Sequence, residues 1–167
     1  MRYFLIGFMG AGKSLIGKSL AEKLNLQYID LDNFIEESEK KTIIDIFHNS
    51  GESYFRELEK KYINQIIKQD NLLVSTGGGT PTFHALMDTM NSFGETIYLE
   101  CSKETLFKRL NKDKSKRPMI SSLSSENLKK YIEIKMEERK CFYKKATYII
   151  SNDNSRNPVN KIINVLR

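Results

Sequence analysis

Gly7-Phe8-Met9-Gly10-Ala11-Gly12-Lys13-Ser14 spells GxxxxGK[ST], a spacing whose chemistry is the binding of phosphate. Its glycines let the backbone close around phosphate oxygens, so that successive N–H groups and a helix N-terminus face the anion. Lys13 is placed to reach the β- and γ-phosphates of a nucleoside triphosphate, and the Ser14 hydroxyl to ligate Mg²⁺. The apolar run Tyr3–Ile6 precedes this loop, and Leu15, Ile16, Leu20 and Leu24 follow at helical spacing, which is the strand–loop–helix context such a loop requires.

Further groups along the chain suit transfer chemistry on a second reactant. Asp30-Leu31-Asp32 ends the next β-like run, and alternation along an extended segment predicts both carboxylates on one side. Asp30 is a candidate for holding Mg²⁺ through water, which Mg²⁺ seldom sheds. Asp32 is a candidate to accept or orient the proton of an attacking hydroxyl; the competing reading makes it the N-cap of the following helix. In Gly51-Glu52-Ser53-Tyr54-Phe55-Arg56-Glu57-Leu58-Glu59, Arg56 suits a bidentate pair with a carboxylate in a pocket floored by Phe47 and Phe55. The alternative is a surface arginine neutralised by Glu52 or Glu59 on its own helix. Gly77-Gly78-Gly79 costs backbone entropy at a strand end, so something must approach that backbone closely, unless the run is a plain turn. Ser75 before it is a candidate to hold a metal-bound water, and Pro81 after it to open a helix at N1. The basic loop from Asn111 to Pro118 either folds over a triphosphate, bringing Arg117 to the transferring phosphate, or hangs free.

The elements that must position these groups are visible as β-like runs at Tyr3–Ile6, Tyr28–Leu31, Leu72–Ser75, Thr96–Leu99 and Tyr148–Ile150, separated by helical patterns. That alternation predicts an α/β domain with a mainly parallel sheet and its functional groups at the C-terminal strand ends. The 167 residues suffice for one domain, and no linker or repeat divides them. No apolar run has the length of a membrane span, and the first strand begins at once, leaving no room for a signal peptide. Cys101 and Cys141 lack a CxxC or histidine partner and read as thiols in a reducing cytoplasm; His48 and His84 read as structural. The net charge of +6 sits mostly between Lys103 and Lys145, where fourteen Lys/Arg face six Asp/Glu. Without aromatic residues interleaved for base stacking, this charge points to small anions and away from nucleic acid.

Taken together, the P-loop, Asp-x-Asp, Gly-Glu-x-x-Phe-Arg, the triple glycine, the Arg117-Pro118 loop and Arg139 resemble shikimate kinase, within the nucleoside-monophosphate-kinase-like P-loop group. The resemblance covers nearly the whole chain. It implies a three-layer α/β/α P-loop kinase fold with a five-stranded parallel sheet in the order 2-3-1-4-5. One domain would span residues 1–167, with an acceptor-binding segment at about 33–61 and a lid at about 112–122. The implied activity is ATP-dependent phosphorylation of the shikimate 3-hydroxyl, with Mg²⁺, by a cytoplasmic monomer that needs neither nucleic acid nor membrane. A gluconate or nucleotide kinase is the alternative within the same group. By the resemblance, Gly10, Ala11, Gly12, Lys13, Ser14 and Leu15 cradle the nucleotide, flanked by Arg109, Arg117 and Arg156, with Ser14 and Asp30 toward the metal. Lys13, Asp32 and Arg117 are the implied catalytic groups. Asp32, Phe47, Phe55, Arg56, Gly77, Gly78, Gly79 and Arg139 would hold shikimate, the two arginines on its carboxylate. The chain departs from the pattern at Leu15, where relatives carry a second hydroxyl, at Thr80, where a small apolar residue is usual, and at Met119-Ile120 in place of two leucines.

Overall fold

Phe4, Leu5 and Ile6 and, farther along, Leu72, Leu73 and Val74 are fully shielded from solvent, because they form the two central strands of a sheet covered on both faces. The structure is a computed structural model that describes residues 1–112, 114, 117, 119–153 and 157–166. In chain order it runs β1 Arg2–Ile6, α1 Lys13–Leu24, β2 Gln27–Asp30, α2 Leu31–Glu39, α3 Ile43–Ile66 and β3 Leu72–Ser75. A 3₁₀ turn at Thr80–Thr82 follows, then α4 Leu86–Phe93, β4 Glu95–Glu100, α5 Lys103–Lys112, α6 Ser125–Tyr143, β5 Tyr148–Ser151 and α7 Pro158–Val165. Every strand pairing is parallel and the order is β2-β3-β1-β4-β5, as the family resemblance implies. Register is continuous across the middle of the sheet: Leu5 opposes Ser75 on one side and Ile97 on the other.

Three local features set up the site above the C-terminal strand ends. Gly12 holds φ 90° just before α1, a left-handed backbone that aims the helix N-terminus back into the loop. Gly17, one turn into α1, faces the sheet so closely that a methyl group there would lie 2.5 Å from Ser75 Oγ and 2.6 Å from the Tyr28 ring. The helix is thereby seated directly on β2 and β3. Gly51 interrupts α3 at φ 79°, ψ 173°, a conformation open to glycine alone. The resulting kink lets Phe47 and Phe55, on opposite sides of it, meet at 4.9 Å between ring centroids.

Two expectations are corrected here. Asp30 and Asp32 do not alternate along one extended segment: β2 stops at Asp30, and Asp32 is already the second residue of α2. The N-cap is Asp30, whose carboxylate accepts from the Asn33 N–H at 3.4 Å, so Asp32 is not the cap. Pro81 is only the second residue of the 3₁₀ turn, and α4 begins five residues later. Among the described residues no helix is long and apolar enough to cross a membrane.

Candidate active site

A cavity of about 560 Å³ opens where the loops after β1, β2 and β3 diverge, at the carboxyl end of the sheet. From the P-loop it is lined by Gly10, Gly12, Lys13, Ser14 and Leu15, and from the end of β2 by Asp30 and Asp32. Phe47, Phe55 and Arg56 come from α3, Gly77–Gly79 from the loop after β3, and Arg117 and Arg139 from the far wall. Most of the residues singled out in the sequence are therefore brought together. Ala11 is buried beneath the loop rather than lining the cavity. Arg109 also stays outside the lining, donating to the Gly10 carbonyl at 3.1 Å and the Asn152 carbonyl at 3.0 Å. Lys116, Pro118 and Arg156 lie outside the described residues.

At the phosphate end, Lys13 Nζ donates to the carbonyls of Gly7 (2.7 Å) and Phe8 (2.9 Å). Burial lowers its pKa to about 8, with Arg117 and Arg139 adding repulsion and Asp32 and Asp30 opposing the change. The Ser14 hydroxyl donates to Asp30 Oδ2 at 2.7 Å, which also accepts from the Tyr28 hydroxyl at 3.3 Å. Ser75 does not face this space; its hydroxyl donates to the Lys13 carbonyl at 3.1 Å and ties β3 to the start of α1.

The other end is an ionic cluster. Arg56 is buried on α3, its Nη1 donating to Glu59 at 2.6 Å and its Nη2 and Nε to Glu52 at 2.9 and 3.2 Å. Both sequence readings of Arg56 thus hold in part: it lines the pocket, and the helix's own glutamates neutralise it, but it is not a surface residue. Its guanidinium also lies 4.5 Å from the Phe83 ring centroid. Glu59 is completely buried and also accepts from the Thr80 hydroxyl, which explains why a polar residue stands where a small apolar one is usual. Asp32 feels this neighbourhood: burial, then Glu59 and Asp30, push its pKa up to about 7 against the pull of Lys13 and Arg56.

The triple glycine is the seam between the two ends. A methyl group on Gly77 would lie 2.9 Å from Glu59 Oε1, on Gly78 3.1 Å from the Met9 nitrogen, and on Gly79 2.5 Å from Arg56 Nη2. What approaches the backbone closely is therefore the protein itself: charged side chains at Gly77 and Gly79 and the P-loop backbone at Gly78. Opposite it, Arg139 stands 5.3 Å from the Phe8 ring centroid, and the Tyr143 hydroxyl donates to the Gly78 carbonyl at 2.5 Å.

Residues 9–167 match the sequence model of a family described as shikimate kinase. The chain belongs to the shikimate kinase family. A shikimate kinase of Azobacteroides pseudotrichonymphae is 48% identical over 149 residues, covering 89% of this chain and 88% of that one. The crystal structure of a shikimate kinase from Bacteroides thetaiotaomicron superposes with a TM-score of 0.94 at 38% identity, covering 99% and 98% of the two chains. A shikimate kinase from Acinetobacter baumannii, solved in complex with shikimate, gives 0.90 at 30% identity, covering 99% and 92%. Within this family's site, the sequence reading missed Glu59 as a buried hub, Thr80 as its partner, Asn152 beneath the P-loop and Tyr131 on α6. Only the first two carried a signal, Glu59 by its i+3 spacing from Arg56 and Thr80 by its departure from the family pattern.

Proposed function

We propose that this chain transfers the γ-phosphoryl group of ATP to the 3-hydroxyl of shikimate, giving ADP and shikimate 3-phosphate. The observation that carries the reading is the pairing of ends in one cavity: a P-loop lysine at one, and two buried arginines around a triple glycine at the other. A polyol carrying a carboxylate is the acceptor that such a cavity fits. A gluconate or nucleotide kinase gives no comparable reason for burying both arginines with Asp32 between them and the P-loop.

In this reading Lys13 leaves the Gly7 and Phe8 carbonyls for the transferring phosphate, and Arg117 joins it from the segment at about 112–122, which acts as the lid. Arg56, fixed by Glu52 and Glu59, and Arg139 hold the carboxylate, while Phe47 and Phe55 bound the ring. The segment at about 33–61 thereby forms the acceptor site, within a single domain. Asp32 takes the proton from the 3-hydroxyl as its oxygen bonds to the γ-phosphorus and the bond from that phosphorus to the β–γ bridging oxygen breaks. A pKa of about 7 suits a base that must be free near neutrality yet able to hold the proton.

The donor set fits Mg²⁺ rather than a protein-caged metal. Ser14 and Asp30 offer a hydroxyl and a carboxylate 2.7 Å apart, and no group of three or more His, Cys, Asp or Glu gathers among the described residues. Hard oxygen donors in small number suit an ion that keeps water and phosphate oxygens. When bound, Mg²⁺ neutralises charge on the phosphate oxygens.

The scheme asks for no group from a second subunit, and we take the chain to act as a monomer. Both cysteines are free, which supports a reducing, cytoplasmic setting. On α6, Lys130 pairs with Glu126 and Lys135 with Glu138, which favours a solvated face over a nucleic-acid surface. Coupled ATP turnover with shikimate as acceptor tests the reading. Turnover of another alcohol with none of shikimate would overturn it.

A further inference from the structure

Among the described residues, three buried side-chain polar atoms have no hydrogen-bond partner: Asp32 Oδ1, Arg139 Nη1 and the Tyr131 hydroxyl. All three belong to residues lining the cavity of about 560 Å³ described above. A buried polar group left unpaired forfeits its hydration without replacement, so orphans collected in one cavity mark where a ligand completes the bonding. The first two have been given roles above. Tyr131 has none.

We propose that the Tyr131 hydroxyl is a positioning group of the active site, donating a hydrogen bond to an oxygen of the bound reactants. Tyr131 stands eight residues before Arg139 on α6, about 12 Å along the helix axis at 1.5 Å per residue. With Arg139 on the acceptor carboxylate, Tyr131 addresses the opposite end of the acceptor or the phosphoryl group arriving there, a span shared with Arg117 and Met119 in the cavity wall. A phenol is suited to this task. It donates to an anionic or hydroxyl oxygen without adding charge to a site already holding Lys13, Arg56, Arg117 and Arg139. In the free chain the three atoms are shut off from solvent, so a small side-chain adjustment accompanies the arrival of the ligand. A structural explanation would require a protein partner for the hydroxyl, and the described residues supply none.

The inference rests on the shikimate kinase reading, and Tyr131→Phe tests it separately. The substitution keeps the ring and removes only an unpaired hydroxyl, so the ligand-free melting temperature should stay level or rise. Turnover with shikimate and ATP should fall about tenfold in kcat/KM, the size of one hydrogen bond to a charged oxygen. A rise in KM for shikimate alone assigns the bond to the acceptor, whereas a fall in kcat with both KM values held assigns it to the transferring phosphoryl group. The stabilisation that added shikimate and ADP give to the variant should also shrink. Wild-type kinetics in a folded Tyr131→Phe variant overturn the proposal, as does a drop in ligand-free melting temperature with unchanged kinetics. If the wild-type chain itself fails to phosphorylate shikimate, the parent reading falls instead.

Discussion

Asp32 and Lys13 carry opposite charges in one dry corner of the cavity, and burial works on them in opposite directions, pushing the acid up to about 7 and the amine down to about 8. If catalysis needs Asp32 ionised and Lys13 protonated, kcat/KM should rise with pH through about 7 and fall through about 8. In Asp32→Asn the rising limb should vanish and kcat drop by about 10²–10⁴, as the loss of a general base implies. Stability should move the other way. The folded pKa of Asp32 lies above its unfolded value of 3.8, so its ionisation subtracts stability as pH climbs from about 4 through 7. Asp32→Asn should therefore melt higher than wild type at pH 8; a lower melting point would mean that the carboxylate is structural. Leu15 is the other informative residue, 76% exposed at the cavity wall, with a side chain unable to donate to a phosphate oxygen. Leu15→Ser should lower KM for ATP about threefold to tenfold, one ordinary hydrogen bond, and leave KM for shikimate unchanged in steady-state kinetics.

The elements show where sequence reasoning reaches and where it stops. Leu72–Ser75 was legible to the residue, because a continuous apolar run between polar stretches has few other fates. The β2–α2 junction was not, since Asp30-Leu31-Asp32 reads equally as alternation or as a helix start; the hydrogen bond from the Asn33 N–H to Asp30 decides it. Gly51 read as the opening of a new helix; the structure instead carries α3 through it with a kink, because a glycine's φ is not written in its spacing. The triple glycine was legible as a place of close approach, but which atoms approach depends on long-range folding of α3 and α6 against that loop. This leads to a test of the seam. In Gly79→Ala the added methyl group must displace the Arg56 guanidinium, which cannot leave Glu59 without stranding a buried carboxylate. KM for shikimate should rise at least tenfold and stability should fall by about 1–3 kcal/mol, read by kinetics and denaturant melts. A variant with unaltered KM would show that Arg56 does not hold the acceptor.

For the molecule as a whole, the order of the strands came from family resemblance, because periodicity gives strands but not their neighbours. Once the sheet is assembled, most of the acceptor end stands in place without ligand, with Arg56 clamped and Arg139 packed beside Phe8. Shikimate alone should therefore bind and stabilise the chain. At about a hundred times its Kd it should add roughly 2.7 kcal/mol, a rise in melting temperature of about 5–10 °C for a domain of this size. Stabilisation appearing only when nucleotide is also present would show that the acceptor end is not preformed.

Gly77, Gly78 and Gly79 face Glu59, Met9 and Arg56 in turn, with Arg139 next to Gly78, so three adjacent codons answer to partners on the P-loop, α3 and α6. Enlarging any one of these glycines presses on a partner elsewhere in the chain, hardest at Gly79 and Gly77. Through such a passage the acceptor end is inherited as a block, whereas Leu15, open to solvent at the cavity wall, is free to drift alone. Descendants of this chain should vary sooner in how they hold the nucleotide than in what they phosphorylate.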